Sequence, residues 1–87
     1  VVVHGRVQGV GYRDAAVQAA FESSVAGWVR NRADGTVEIL VQGSLEAVER
    51  FLQWCRRGPP LARVTDVMVA PATVDPALRA FEWRATA

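Results

Sequence analysis

At 87 residues and 51% hydrophobic content, the chain has material for a single core, so residues 1–87 are expected to form one domain. A formal net charge of +1 excludes the strongly basic surface of most nucleic-acid-binding domains, and no apolar run approaches the roughly 20 residues that span a bilayer. Cys55 is the only cysteine, which excludes an internal disulfide; together with the absence of a signal-peptide pattern before the first strand, this usage fits a reducing compartment, and a cytoplasmic location is expected.

Val1 to Val7 reads as a β-strand of branched residues in which Val1, Val3 and Val7 share one face. His4 falls on the other face, and with no Ser-His-Asp or Cys-His set to join it is given a supporting role. The strand runs into Gly5, Gly9 and Gly11, and Arg13 closes this loop as a helix begins. Glycines in a strand-to-helix connection let successive N–H groups converge, the helix adds unpaired N–H groups and the positive end of its dipole, and an arginine supplies a planar fork for two phosphate oxygens. The spacing is neither GxxxxGK[ST] nor GxGxxG, and the chain has no lysine, so a nucleotide-binding P-loop is not expected. On the glycines alone, a tight turn followed by a solvated arginine is the favoured reading.

From Arg13 to Glu22 the alanine content and the spacing of Ala16, Val17, Ala20 and Phe21 predict an amphipathic helix with that stripe buried, broken by Ser23-Ser24. Val25 to Arg32 and Val37 to Gln42 are strand candidates joined through Asp34-Gly35, a strong hairpin signal, which leaves Asn31 near a hairpin end. Read by itself, Asn31 is a turn residue. Ser44 is a candidate N-cap for a second helix with Leu45, Val48, Phe51, Leu52 and Cys55 on its apolar stripe, ended by Gly58-Pro59-Pro60. On that stripe Cys55 is a small buried hydrophobe, and Trp54 and Trp83 are read as packing residues. Arg63 to Val69 reads as a strand, Pro71 to Pro76 as a loop, and Phe81 to Thr86 as a last alternating strand. The order is βαββαβ with a terminal strand, and it predicts a two-layer α/β sandwich, an α+β fold in which both helices cover an antiparallel sheet.

Gly5, Val7, Gln8, Gly9, Val10 and Arg13 meet the pattern GxVQGVxxR, and Gly27-Trp28-Val29-Arg30-Asn31 followed by Asp34-Gly35 and Val37-Glu38 meets GWVRNxxDGxVE. Both blocks resemble the acylphosphatase family, as does, less specifically, Gly58-Pro59-Pro60 with Arg63-Val64. The resemblance covers nearly the whole chain. It implies a ferredoxin-like fold and hydrolysis of acyl phosphates to a carboxylate and inorganic phosphate; because product and substrate share the group that the Gly5–Arg13 loop would recognise, phosphate is also expected to inhibit. It further implies that Arg13 and the backbone N–H groups of Gln8, Gly9, Val10, Gly11 and Tyr12 hold the phosphoryl group, while Asn31 orients the attacking water. No cofactor is expected, and no metal, since the carboxylates are scattered; nor is a nucleic-acid or membrane partner, and a monomer is expected. Two departures stand out. Ser23-Ser24 replaces the leucine and glycine common in the family, which predicts a less tidy helix end, and Asp14 stands where a bulky residue is frequent, so that it could compete for Arg13 or repel phosphate. A phosphate-binding module without turnover is the alternative, as is a carbamoyl-phosphate-handling domain of the kind found inside larger maturation proteins.

Overall fold

Strands with one apolar face and helices with one apolar stripe can bury both only against each other, and the chain settles into two layers. A computed structural model describes residues 1–87: β1 (Val2–Arg6), α1 (Tyr12–Ser23), β2 (Ala26–Asn31), β3 (Val37–Gln42), α2 (Leu45–Arg57), β4 (Arg63–Met68) and β5 (Phe81–Arg84). The sheet order is β4-β1-β3-β2-β5, and the two helices pack on each other and against the sheet. Four of these strands pair antiparallel as expected, but β5 runs parallel to β2, with Gly27 opposite Phe81 and Arg30 opposite Arg84, so the sheet is mixed. The reason lies in the connection. β4 ends on one edge, and the segment after it crosses to the far edge, where no hairpin dictates direction. No helix is long and apolar enough to cross a membrane.

Both helices are rotated from the predicted stripes. In α1 the residues turned inward are Tyr12, Ala16, Ala19, Ala20 and Ser23, while Phe21 is 82% exposed. At 3.6 residues per turn Phe21 sits roughly 140° around the axis from Ala16. The alanine face wins because small side chains let the helix lie close to the sheet. In α2 the inward line is Ala47, Phe51 and Cys55, an i, i+4, i+8 row, and Leu45 is left 77% exposed on the other side.

The end of α1 is also closed, not untidy. Ser24 adopts the left-handed region at φ 61°, where its N–H reaches the Ala20 and Phe21 carbonyls and the Val25 N–H donates to the Ala20 carbonyl at 3.1 Å. These bonds outweigh the roughly 1 kcal/mol that a non-glycine residue loses there. Helix α2 begins as read, with Ser44 Oγ accepting from the Ala47 N–H at 3.1 Å, and ends at Gly58, whose positive φ of 68° favours glycine. A side chain at Gly58 would press on the Tyr12 ring, at 3.1 Å from Cε2.

Tyr12 is fully buried, its ring centroid lies 5.2 Å from that of Trp54, and its hydroxyl donates to the Cys55 carbonyl at 2.8 Å. The first residue of α1 is thereby bolted to the end of α2, which fixes where the preceding loop must finish. Burial pushes the Cys55 thiol up to about 12 and raises the Tyr12 phenol as well. Since both acids hold their protons in the folded state above the pH at which they ionise unfolded, stability is fully present below about pH 9 and is lost as pH rises toward 12. Native protein at pH 8.5 should accordingly resist a thiol reagent that labels Cys55 at once in urea. Labelling at the unfolded rate would contradict the burial.

Candidate active site

The glycines of the β1–α1 connection do two different jobs. Gly5 sits at a bulge where β1 shifts register against β4, at φ 121°, and a side chain there would collide with the Arg63 carbonyl. It serves the sheet. Gly9 and Gly11 have φ of 73° and 77° with open space beside them, so their conformation, not their size, is what the loop uses. Gly11 is the N-cap of α1, and no side chain caps the helix. None of the backbone N–H groups from Gln8 to Asp14 donates to an acceptor within the chain; the first paired one is that of Ala15, to the Gly11 carbonyl at 3.0 Å. Left-handed residues beside a helix N-terminus turn such groups into a concavity that suits an anion.

The loop is tied to the β2–β3 hairpin by the Gln8 side chain, whose Nε2 donates to the Arg32 carbonyl at 2.7 Å and the Thr36 carbonyl at 2.9 Å. The hairpin is itself set by Asp34, which accepts from the Thr36 hydroxyl at 2.6 Å and the Thr36 N–H at 3.0 Å; these bonds hold its acid below the usual carboxylate range. Asn31 ends β2 next to that turn. It is 9% exposed, and its carboxamide makes no hydrogen bond within the chain.

Arg13 lies across the same cleft. Its Nη1 donates to the Arg84 carbonyl at 3.0 Å and its guanidinium carbon is 4.2 Å from the centroid of the Trp83 ring. The cleft, about 170 Å³, is lined by Val7, Gly9, Gly11, Tyr12, Arg13, Asp14, Asn31 and Trp83. Of the candidate residues, Gly9, Gly11, Tyr12, Arg13 and Asn31 are thus brought together. Gln8 and Val10 do not line the cleft: the Gln8 amide is spent on the hairpin and Val10 packs against the core. Tyr12 offers its N–H, since its side chain is committed to the core.

Asp14 lines the cleft and is exposed, but it forms no ion pair with Arg13. Competition for the guanidinium is therefore absent, and what remains of the concern is repulsion of an anion. Trp83 is the residue that sequence reasoning missed as part of the site. Its alternation with Phe81 marks the core side of β5, but only the topology shows that the strand end reaches Arg13. The largest groove on the surface, about 770 Å³, lies elsewhere, between the C-terminal half of α1 and the Gln42-Gly43 and Arg79-Ala80-Phe81 segments. It is mostly apolar and holds no arrangement for phosphoryl chemistry. No group of three or more His, Cys, Asp or Glu residues is placed to hold a metal ion.

A family model described as Acylphosphatase matches residues 1–83. The acylphosphatase of Acidiphilium cryptum (strain JF-5) is 56% identical over 86 residues, covering 99% of this chain and 93% of that protein. The crystal structure of acylphosphatase from Bacillus subtilis superposes with a TM-score of 0.87 at 37% identity, over 99% of this chain and 92% of that one. Full-length HypF in its phosphate- and nucleotide-bound form superposes with a TM-score of 0.85 at 25% identity, over 98% of this chain but 11% of that much longer one.

Proposed function

The chain belongs to the acylphosphatase family and hydrolyses acyl phosphates to a carboxylate and inorganic phosphate, and we propose that it does so with the phosphoryl group in the Gly5–Arg13 loop and Asn31 steering the water. The observation that carries this reading is the unbroken run of unpaired N–H groups beside Arg13, facing a carboxamide with no partner in the chain. The N–H groups of the Gln8–Tyr12 run, those of Gly9, Gly11 and Tyr12 in the cleft and those of Gln8 and Val10 flanking it, share the charge of the phosphoryl oxygens with the guanidinium, the role that a metal plays in other phosphoryl-transfer sites. An amide is no base. The Asn31 carbonyl accepts a hydrogen bond from water and its NH₂ donates to a phosphoryl oxygen, which aims the nucleophile without removing its proton. Water oxygen bonds to phosphorus as the acyl oxygen departs with the bonding pair, and the water proton passes to a phosphoryl oxygen. A carboxylate leaves readily, so no strong general acid is needed. We place it in the cytoplasm as a monomer, a reading supported by the use of a single cysteine in the chain, Cys55, as a buried packing residue.

The test is binding of the product. Inorganic phosphate should inhibit competitively, and free phosphate at about a hundred times Kd should stabilise the fold by roughly 2.7 kcal/mol, an increase in Tm on the order of 10 °C for a domain of this size. EDTA should leave both effects unchanged. Phosphate that stabilises nothing, or that inhibits without competing, would remove the loop from the mechanism.

A further inference from the structure

Trp83 occupies the core-facing side of β5, yet it is 50% exposed, whereas Phe81 on the same face packs against the core. Burial does not account for a tryptophan there. What the ring meets is Arg13, whose guanidinium carbon stands 4.2 Å from its centroid, while the carbonyl of the next residue, Arg84, takes Nη1 at 3.0 Å. Adjacent residues of one strand therefore restrain Arg13 on a face and at an edge.

A second aromatic–arginine contact in the same sheet shows what is unusual here. Trp28 carries Arg30 at 4.7 Å and Arg84 at 5.0 Å, but each of those arginines is also paired with a carboxylate, Glu38 at 2.6 Å and Glu82 at 3.0 Å. Arg13 has the stack without the carboxylate. A carboxylate would orient the guanidinium equally well but would neutralise it and fill its donor fork. An aromatic face holds the plane and leaves the charge and the remaining N–H donors free.

We propose that Trp83 is a positioning residue for the reaction: its indole sets the plane of the Arg13 guanidinium, so that the unoccupied donors face the loop N–H groups. This rests on the reading of Arg13 as the phosphoryl-binding side chain. A stack at a half-exposed site is expected to change kcat/KM about three- to thirty-fold.

The experiment compares Trp83→Phe, which keeps a π face, with Trp83→Leu and Trp83→Ala, which do not. Readouts are kcat/KM for benzoyl phosphate and the dissociation constant of inorganic phosphate. The Phe variant should stay within about three-fold of the parent, while Leu and Ala fall about tenfold in kcat/KM and bind phosphate more weakly. In an Arg13→Ala background, Trp83→Leu should add less than about two-fold to either readout, because the ring acts through the arginine. Equal behaviour of the Phe and Leu variants, or an undiminished loss in the Arg13→Ala background, would overturn the proposal. Near-parent values for Arg13→Ala alone would instead overturn the phosphoryl-site reading itself, whatever Trp83 does.

Discussion

Arg13→Lys should lower kcat/KM by about two decades while leaving the fold intact. The substitution keeps the charge, so a purely coulombic role for Arg13 would survive it. The geometry argues otherwise. Arg13 already gives one donor to the Arg84 carbonyl and lies over the Trp83 ring, which leaves a planar set of N–H groups for phosphoryl oxygens. A lysine ammonium that satisfied the carbonyl would have no plane to stack and no second prong in a fixed direction. Loss of one such transition-state donor commonly costs on the order of 3 kcal/mol, which is the two decades expected. Stability should change little, because Arg13 is only part-buried and joins no ion pair. Steady-state kinetics alongside thermal unfolding would decide the matter: a lysine variant with near-parent kcat/KM would reduce Arg13 to a solvated charge.

For Asn31→Ala the expected signature is different, a fall in kcat of about a hundredfold with KM and phosphate affinity nearly unchanged. Misdirecting a nucleophile costs rate, whereas the proposed phosphate anchors, Arg13 and the loop N–H groups, are still in place. Although Asn31 is buried to 9% exposure, its carboxamide has no partner in the chain, so its removal orphans no donor or acceptor. The backbone of residue 31 keeps its pairing with Val37 and still accepts from the Ala87 N–H at 2.9 Å. Rapid turnover in this variant, or loss of phosphate stabilisation along with activity, would leave the reaction without an identified water-positioning group.

How much of this was legible in the chain depends on the range of the interaction concerned. Short-range periodicity and turn chemistry carried most of the elements. Alternation placed β3 at Val37–Gln42, Asp34-Gly35 marked the hairpin, and Ser44 and Gly58 bounded α2, because each of these is settled by residues a few positions apart. The motif residues likewise announced the loop and Asn31, whose positions follow from a strand entering a helix and a strand entering a turn. What remained hidden turned on contacts between distant segments. The buried faces of α1 and α2 were set by how closely alanines and Phe51 could approach the sheet, which left Phe21 and Leu45 outside despite their hydrophobicity. The site shows the same division.

By itself the sequence determined the composition of the cradle: glycines that permit left-handed turns, a helix start without a side-chain cap, an arginine, and an asparagine at a strand end. Only the tertiary structure decided that Gly5 is needed because β4 leaves no room for a side chain, and that Gln8 moors the loop to the Asn31 hairpin. It also carried β5 to the far edge, parallel to β2, and set Trp83 and the Arg84 carbonyl against Arg13. The physical reason is that periodicity reports which way a side chain points along its own element. The partner it meets is chosen by sheet order and by the path of the connections, which bring residue 83 beside residue 13.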